Sequence, residues 1–174
     1  IIMDLNEKTI DRTVIYNGKI VDVEIHTVTL PNGETSTREL VYHNGAVAVC
    51  AVTPKKEVVL VKQYRKPVEK PLLEIPAGKL EDDEDRVEAA KRELEEETGY
   101  IAKELTHVVD MYGSPGFCDE QLSIYFTDNL EEGTVHLDED EFVEVIKVPI
   151  ENVKSMLMNK EIEEIGRASC RERV

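Results

Sequence analysis

One segment restricts the architecture more than any other: "GKLEDDEDRVEAAKRELEEETGY", residues 78–100. Residues 84–98 are good helix formers throughout. Val87, Ala90 and Leu94 recur at three- and four-residue spacing and so share one apolar stripe. Gly99 stands where such a helix stops. A helix with one apolar stripe cannot bury it alone and needs a sheet or another helix to pack on. The chain supplies strands. "AVAVCAVTP" and "EVVLVKQY" are β-branched runs separated by the turn Thr53-Pro54-Lys55-Lys56, and they read as buried strands. "GKIVDVEIHTVTLPNGETSTRELVYH" reads as a hairpin around Pro31-Asn32-Gly33. "PLLEIPAG" is a short extended piece, and further strands are expected near 103–112, 121–128 and 141–148. A last helix follows Pro149, with Val153, Met156 and Leu157 as its stripe. The expected fold is a mixed sheet with helices packed on it, an α/β or α+β sandwich. Residues 1–43 are expected to form a small β-rich N-terminal subdomain, and residues 44–163 the main domain.

The same helix poses an electrostatic question. Glu93, Glu96 and Glu97 sit at i, i+3 and i+4, so they share a face, read here as roughly opposite the Val87–Ala90–Leu94 stripe. A like-charge pair such as Glu93 and Glu97 costs a helix roughly 0.2–0.5 kcal/mol. Either the face is merely solvated or a cation sits on it. Carboxylate oxygens with no His or Cys nearby suit a hard divalent ion, magnesium before calcium or zinc. Magnesium shares its ligands with phosphates, which hints at a phosphate substrate. Arg92 lies beside the cluster and is placed to pair with Glu88 or Glu96. No D-x-[DN]-x-[DN]-G run occurs, so this is not a calcium loop of the EF-hand type.

Composition removes other classes. The net charge of -16 argues against non-specific nucleic-acid binding, which needs a basic footprint. There is no run of about 18 apolar residues, so no transmembrane helix is expected. No basic-then-apolar N-terminus signals secretion. Cys50, Cys118 and Cys170 are odd in number and lack metal spacing, which favours a reducing, cytoplasmic setting over a disulfide framework. His26, His43, His107 and His136 show no ligand spacing either. Met3 reads as an initiator, leaving Ile1 and Ile2 upstream of it. The tail Glu164–Val174 can be back-translated into a common sequencing-library adapter, so residues 164–174 are expected to be non-native.

The acidic segment fits the Nudix signature G-x5-E-x7-R-E-U-x-E-E-x-G-U, with Gly78, Glu84, Arg92, Glu93, Leu94, Glu96, Glu97 and Gly99 in register. Tyr100 stands where an aliphatic residue is usual. The resemblance implies an α/β/α sandwich that hydrolyses a nucleoside diphosphate linked to another group. It also implies that Glu93 and Glu97 are magnesium ligands, manganese being the alternative ion. Glu96 would be a ligand or close support, the Ala77 carbonyl a further ligand, and Glu84 and Arg92 would orient the cluster. The chemistry is consistent: metal ions neutralise an anionic diphosphate, and a nearby carboxylate can take the proton of the attacking water.

Outside the box, "MYGSPGFCDEQLSIYF", "VVLVKQYRKP" and "LPNGETSTREL" resemble the ADP-ribose pyrophosphatases, the Bacillus type most closely, over residues 4–163. That resemblance implies hydrolysis of ADP-ribose to AMP and ribose 5-phosphate. By it, Arg38 and Arg65 contact the substrate, and Glu120 lies near its terminal ribose. In "HLDEDEFVEV", Glu139 aligns with the proposed base and Glu141 with a further metal ligand, while Asp138 and Asp140 leave the register open by one residue. The family habit is a homodimer whose N-terminal subdomains complete the partner's site. Two other readings stay open: a Nudix hydrolase for another nucleotide sugar or an oxidised nucleotide, and a Nudix sensor that binds ADP-ribose without cleaving it.

Overall fold

The structure is a computed structural model and describes residues 4–137 and 142–163. Its elements are β1 (Lys8–Asn17), β2 (Val21–Thr29), β3 (Thr35–His43), β4 (Ala46–Val52), β5 (Glu57–Arg65) and a 3-10 turn (Lys66–Val68). Then follow β6 (Lys70–Glu74), β7 (Ala77–Lys79), α1 (Arg86–Thr98), β8 (Tyr100–Ala102) and β9 (Thr106–Tyr112). The chain continues with β10 (Gln121–Thr127), β11 (Leu130–Glu132), β12 (Val143–Pro149) and α2 (Ile150–Met158). They fall into two compact units. One gathers the chain up to Gly45 with Tyr112–Gln121, and the other gathers Ala46–Met111 with the chain from Leu122 onward.

The first unit is an antiparallel sheet in the order β1-β2-β3. The β2–β3 hairpin closes at Leu30–Glu34, where Leu30 N–H donates to the Glu34 carbonyl at 2.7 Å. Gly33 takes φ of 86° there, a value that costs glycine nothing. Val41 of β3 bridges to Cys118, which ties the Tyr112–Gln121 segment to this sheet.

The second unit holds a mixed sheet in the order β12-β5-β4-β10-β9, with β6 on the flank of β5 and β7 on β4. β10 runs parallel to β4, while β5 and β7 pair with β4 antiparallel. Alternate residues of the central strands point to opposite faces. Val47, Val49, Ala51 and Val59 pack with Ala89, Ala90 and Leu94 of α1. Ala48, Val52, Val58 and Leu60 form the other cluster, against which Val153, Met156 and Leu157 of α2 pack. The result is the helix–sheet–helix sandwich that the apolar stripes required. Leu94 is fully buried, and truncating it to Ala would cost about 2–5 kcal/mol.

Some local details differ from expectation. The helix begins at Arg86, not residue 84, because Asp85 caps it: its carboxylate accepts the Val87 and Glu88 N–H groups at 2.9 and 3.2 Å. β1 was not foreseen, nor was the short pair of β8 and β11. "PLLEIPAG" divides between β6 and β7, which pair with different neighbours. The expected adapter-derived tail, residues 164–174, lies outside the described residues.

Candidate active site

The C-terminal half of α1 carries the acidic cluster. Its end is set by Gly99, which adopts φ of 71° and donates its N–H to the Glu95 carbonyl. Glu97 is 3% exposed and lies on the same buried side as Ala90 and Leu94. This corrects the expected opposition of faces: Glu97 is seven residues from Ala90 and three from Leu94, so helical geometry returns it to their side. One oxygen of its carboxylate, Oε2, accepts the Ala77 N–H from β7 at 3.0 Å. A buried carboxylate is costly unless it is paired with hydrogen-bond donors or a cation.

Glu93 sits against the backbone of that strand at Gly78. A methyl group on Gly78 would lie 1.9 Å from Glu93 Cδ, so only glycine admits this carboxylate. Arg92 then binds three acids at once. Nε and Nη2 form a fork on Glu84, at 2.8 and 2.9 Å. Nη1 donates to Glu93 Oε1 at 2.9 Å and to Glu96 Oε2 at 2.8 Å. The Arg92 hydrogen bonds hold the Glu84 carboxyl below its ordinary pKa, and Glu84 in turn raises that of Arg92. Glu88, the other partner considered for Arg92, pairs instead with Lys91 at 2.8 Å.

Three carboxylates thus share one guanidinium, and with Glu97 close by the cluster keeps a strong negative charge. Among the described residues, no three acidic, His or Cys side chains converge as a finished ligand set. The donor chemistry nonetheless fits a hard divalent ion. Glu97 brings an oxygen to the Ala77 N–H, Glu93 lies against Gly78, which leaves it room, and Glu96 shares Arg92 Nη1 with Glu93.

Glu139 and Glu141, with Asp138 and Asp140, fall outside the described residues. The chain reaches that stretch from His136, whose N–H donates to the Glu96 carbonyl at 3.0 Å. Arg65, at the end of β5, forks onto Glu74 through Nε at 3.0 Å and Nη2 at 2.6 Å. Arg38 and Glu120 belong to the first unit. Arg38 forks onto Glu7 through Nε and Nη2, at 2.9 and 2.5 Å. Glu120 is 3.9 Å from His43 Nδ1, which already accepts the Gly45 N–H.

Sequence reading missed Glu74. Its role depends on the β5–β6 register, in which it sits opposite Val61, and no local pattern reveals that pairing. The one available signal was a charge inside the apolar stretch Leu72-Leu73-Glu74-Ile75.

The NUDIX domain matches residues 42–168. ADP-ribose pyrophosphatase of Bacillus subtilis (strain 168) is 49% identical over 160 residues, covering 91% of this chain and 86% of that protein. Methanol dehydrogenase activator of Bacillus methanolicus is 46% identical over 158 residues, covering 90% of this chain and 85% of the other. A crystal structure of an ADP compounds hydrolase superposes with a TM-score of 0.83 at 22% identity, over 95% of this chain and 91% of that one, and so supports the fold. The match spans the sheet, α1 and the acidic cluster built on it, and on that ground this chain belongs to the Nudix family.

Proposed function

We infer that this protein hydrolyses the diphosphate of ADP-ribose, releasing AMP and ribose 5-phosphate. The observation that carries the reading is the buried Glu97 beside the Arg92-braced Glu93 and Glu96, in a chain 49% identical to an ADP-ribose pyrophosphatase. Glu93, Glu96, Glu97 and the Ala77 carbonyl would hold the divalent ion, magnesium in this reading, with manganese as a substitute. When bound, such an ion would neutralise the diphosphate oxygens and lower the pKa of the attacking water, easing loss of its proton.

The chain's own residues do the rest. Glu84 anchors Arg92, and Arg92 offsets the repulsion between Glu93 and Glu96 while fixing both side chains. Glu139 takes the proton of the attacking water, and Glu141 adds a ligand. Nearby in sequence, the described His136 donates its N–H to the Glu96 carbonyl, which supports this reading. Arg65 and Arg38 hold phosphate oxygens, a task suited to the guanidinium fork. Glu120 accepts hydrogen bonds from the terminal ribose. Residues 1–43 serve substrate binding and dimerisation, and residues 44–163 the chemistry.

We further propose a homodimer. All ten residues of β1 are exposed, among them Ile10, Val14, Ile15 and Tyr16, each more than half accessible. The proposed setting is cytoplasmic, in keeping with Cys50 and Cys118 both being free thiols. Among the described residues no helix is long and apolar enough to cross a membrane.

The test is AMP release from ADP-ribose with magnesium, alongside other nucleoside diphosphate sugars and an oxidised nucleotide. Preferred cleavage of another compound would replace the substrate. Tight binding of ADP-ribose with no AMP formed would make the protein a sensor.

A further inference from the structure

The ion pair between Arg65 and Glu74 is unusual in its asymmetry. The Glu74 side chain is 4% exposed, and that of Arg65 is 42% exposed. A carboxylate so deeply buried requires a fixed cation. The cation, however, reaches it from the surface. In the β5–β6 register Arg65 stands opposite Lys70, whereas Glu74 stands opposite Val61, four residues back along β5. At about 3.3 Å per residue that offset is roughly 13 Å. Arg65 must therefore lie flat along the sheet to close the fork, and both its Nε and Nη2 are used in doing so. The side chain gives up its rotamer freedom, and its guanidinium plane is set by the carboxylate beneath it.

The same stretch is braced again downstream. The Pro76 carbonyl accepts the Val49 N–H at 2.9 Å, and the Ala77 N–H donates to Glu97. Glu74 is thus the outer end of a rigid segment whose inner end touches the acidic cluster.

We propose that Glu74 is a positioning residue for substrate binding. It orients Arg65 toward a phosphate of the nucleoside diphosphate and holds that direction before the substrate arrives. A pre-set guanidinium spares the ordering cost on binding. This rests on the reading of Arg65 as a substrate contact. A merely structural pair would stabilise the fold and leave the kinetics alone.

Four variants of the full chain test this: Arg65→Ala, Glu74→Gln, Glu74→Asp, and Arg65→Ala combined with Glu74→Gln. Each is assayed for kcat and KM with ADP-ribose and for its melting temperature. Arg65→Ala should raise KM by about 10- to 100-fold, the worth of a charge-assisted hydrogen bond or two. Glu74→Gln should raise KM about tenfold with kcat within about twofold. Glu74→Asp keeps the charge but withdraws it by one methylene, so it should fold and still raise KM. The double variant should be no worse than Arg65→Ala alone. If Arg65→Ala raises KM while both Glu74 variants keep the wild-type value, the positioning role is overturned. If Glu74→Gln fails to fold, Glu74→Asp decides on the same criterion. If Arg65→Ala itself leaves KM unchanged, the substrate reading of Arg65 falls first, and the inference with it.

Discussion

The two units of the chain break the usual pattern of burial in opposite ways. The second unit buries charge: Glu74 and Glu97 are each 3% exposed. The first unit exposes apolar surface: Ile10, Val14, Ile15 and Tyr16 of β1 are all more than half accessible. Its charges are meanwhile paired at the rim, as in Arg38 with Glu7. Each departure costs free energy unless something answers it. Buried carboxylates call for cations, and exposed aliphatics call for a covering surface. On the proposed reading the buried acids answer to an ion and the exposed strand to a partner copy, while Arg38 and Glu120 bring substrate contacts into the first unit as well.

The largest effects should come from the charge-burying unit. Glu139→Gln should lower kcat by about 10²–10⁴ if Glu139 is the general base, with KM for ADP-ribose little changed. Asp138→Asn and Asp140→Asn run in parallel fix the register; loss of activity in one of these alone would move the base there. Glu97→Gln should lower kcat on the order of 10²–10³, like the loss of one preorganised charge at a reacting centre. Without divalent ions the same variant should melt higher than the wild type, because the buried charge is gone. Wild-type turnover of Glu97→Gln at saturating magnesium would break the assignment of the cluster.

The apolar unit should respond in mass and not in chemistry. Replacing Val14 with Lys places a charge in the middle of the exposed strand. A dimer built on that surface should dissociate, as read by sedimentation at matched concentration. An unchanged mass for Val14→Lys would remove β1 from the interface.

A pH series sharpens the contrast further. Asp110 of β9 accepts the Ser123 hydroxyl at 2.5 Å and faces His107 Nε2 at 3.0 Å. The Ser123 hydrogen bond, then that of His107, holds the Asp110 carboxyl below its ordinary pKa. A group lowered in the folded state binds its proton less readily than the unfolded chain does. Its contribution is therefore present above the unfolded pKa, about 4, and is lost as pH falls through the folded value. Glu84, held low by Arg92, has the same sign. The melting temperature should fall as acid is added below about pH 4, and Asp110→Asn should flatten part of that slope. A slope unchanged by Asp110→Asn would assign the acid sensitivity to other carboxylates.

How much of this was legible in the sequence follows the same division. α1, β4 and β5 were readable because one buried face gives the helix a 3.6-residue period, and burial on both faces makes β4 and β5 continuous β-branched runs. β1 was not, since "KTIDRTVIYN" is exposed along its whole length and no face selects its residues. The identity of the acidic helix was plain from Arg92, Glu93, Glu96 and Glu97. Its depth was there in principle: Glu97 is seven residues from Ala90 and three from Leu94, so helical phase puts it on their side and not opposite the stripe. The fork of Arg92 on Glu84 spans eight residues and two structural contexts, the turn before the helix and the helix itself. Glu74 was hidden most completely, because its meaning comes from a partner on another strand.

The smallest expected effect is also the sharpest contrast, since it differs in sign. Arg38 and Arg65 each spend Nε and Nη2 on one glutamate. The Glu74 partner is buried, so it cannot leave and can only direct. The Glu7 partner is about one-third exposed, and water can replace it at little cost. A substrate phosphate that recruits Arg38 must therefore compete with Glu7 for the same donors. Glu7→Gln should weaken the competitor and lower KM for ADP-ribose, by about twofold given how little exposed pairs contribute. The wild-type KM should also depend more on salt than that of Glu7→Gln, because the exposed pair is screened. Glu74→Gln should move KM the other way, upward. Both measurements use one assay, with kcat as the internal control. A rise in KM for Glu7→Gln would mean that the exposed fork orients Arg38 as the buried one orients Arg65, and the contrast between the units would then lie in burial alone and not in function.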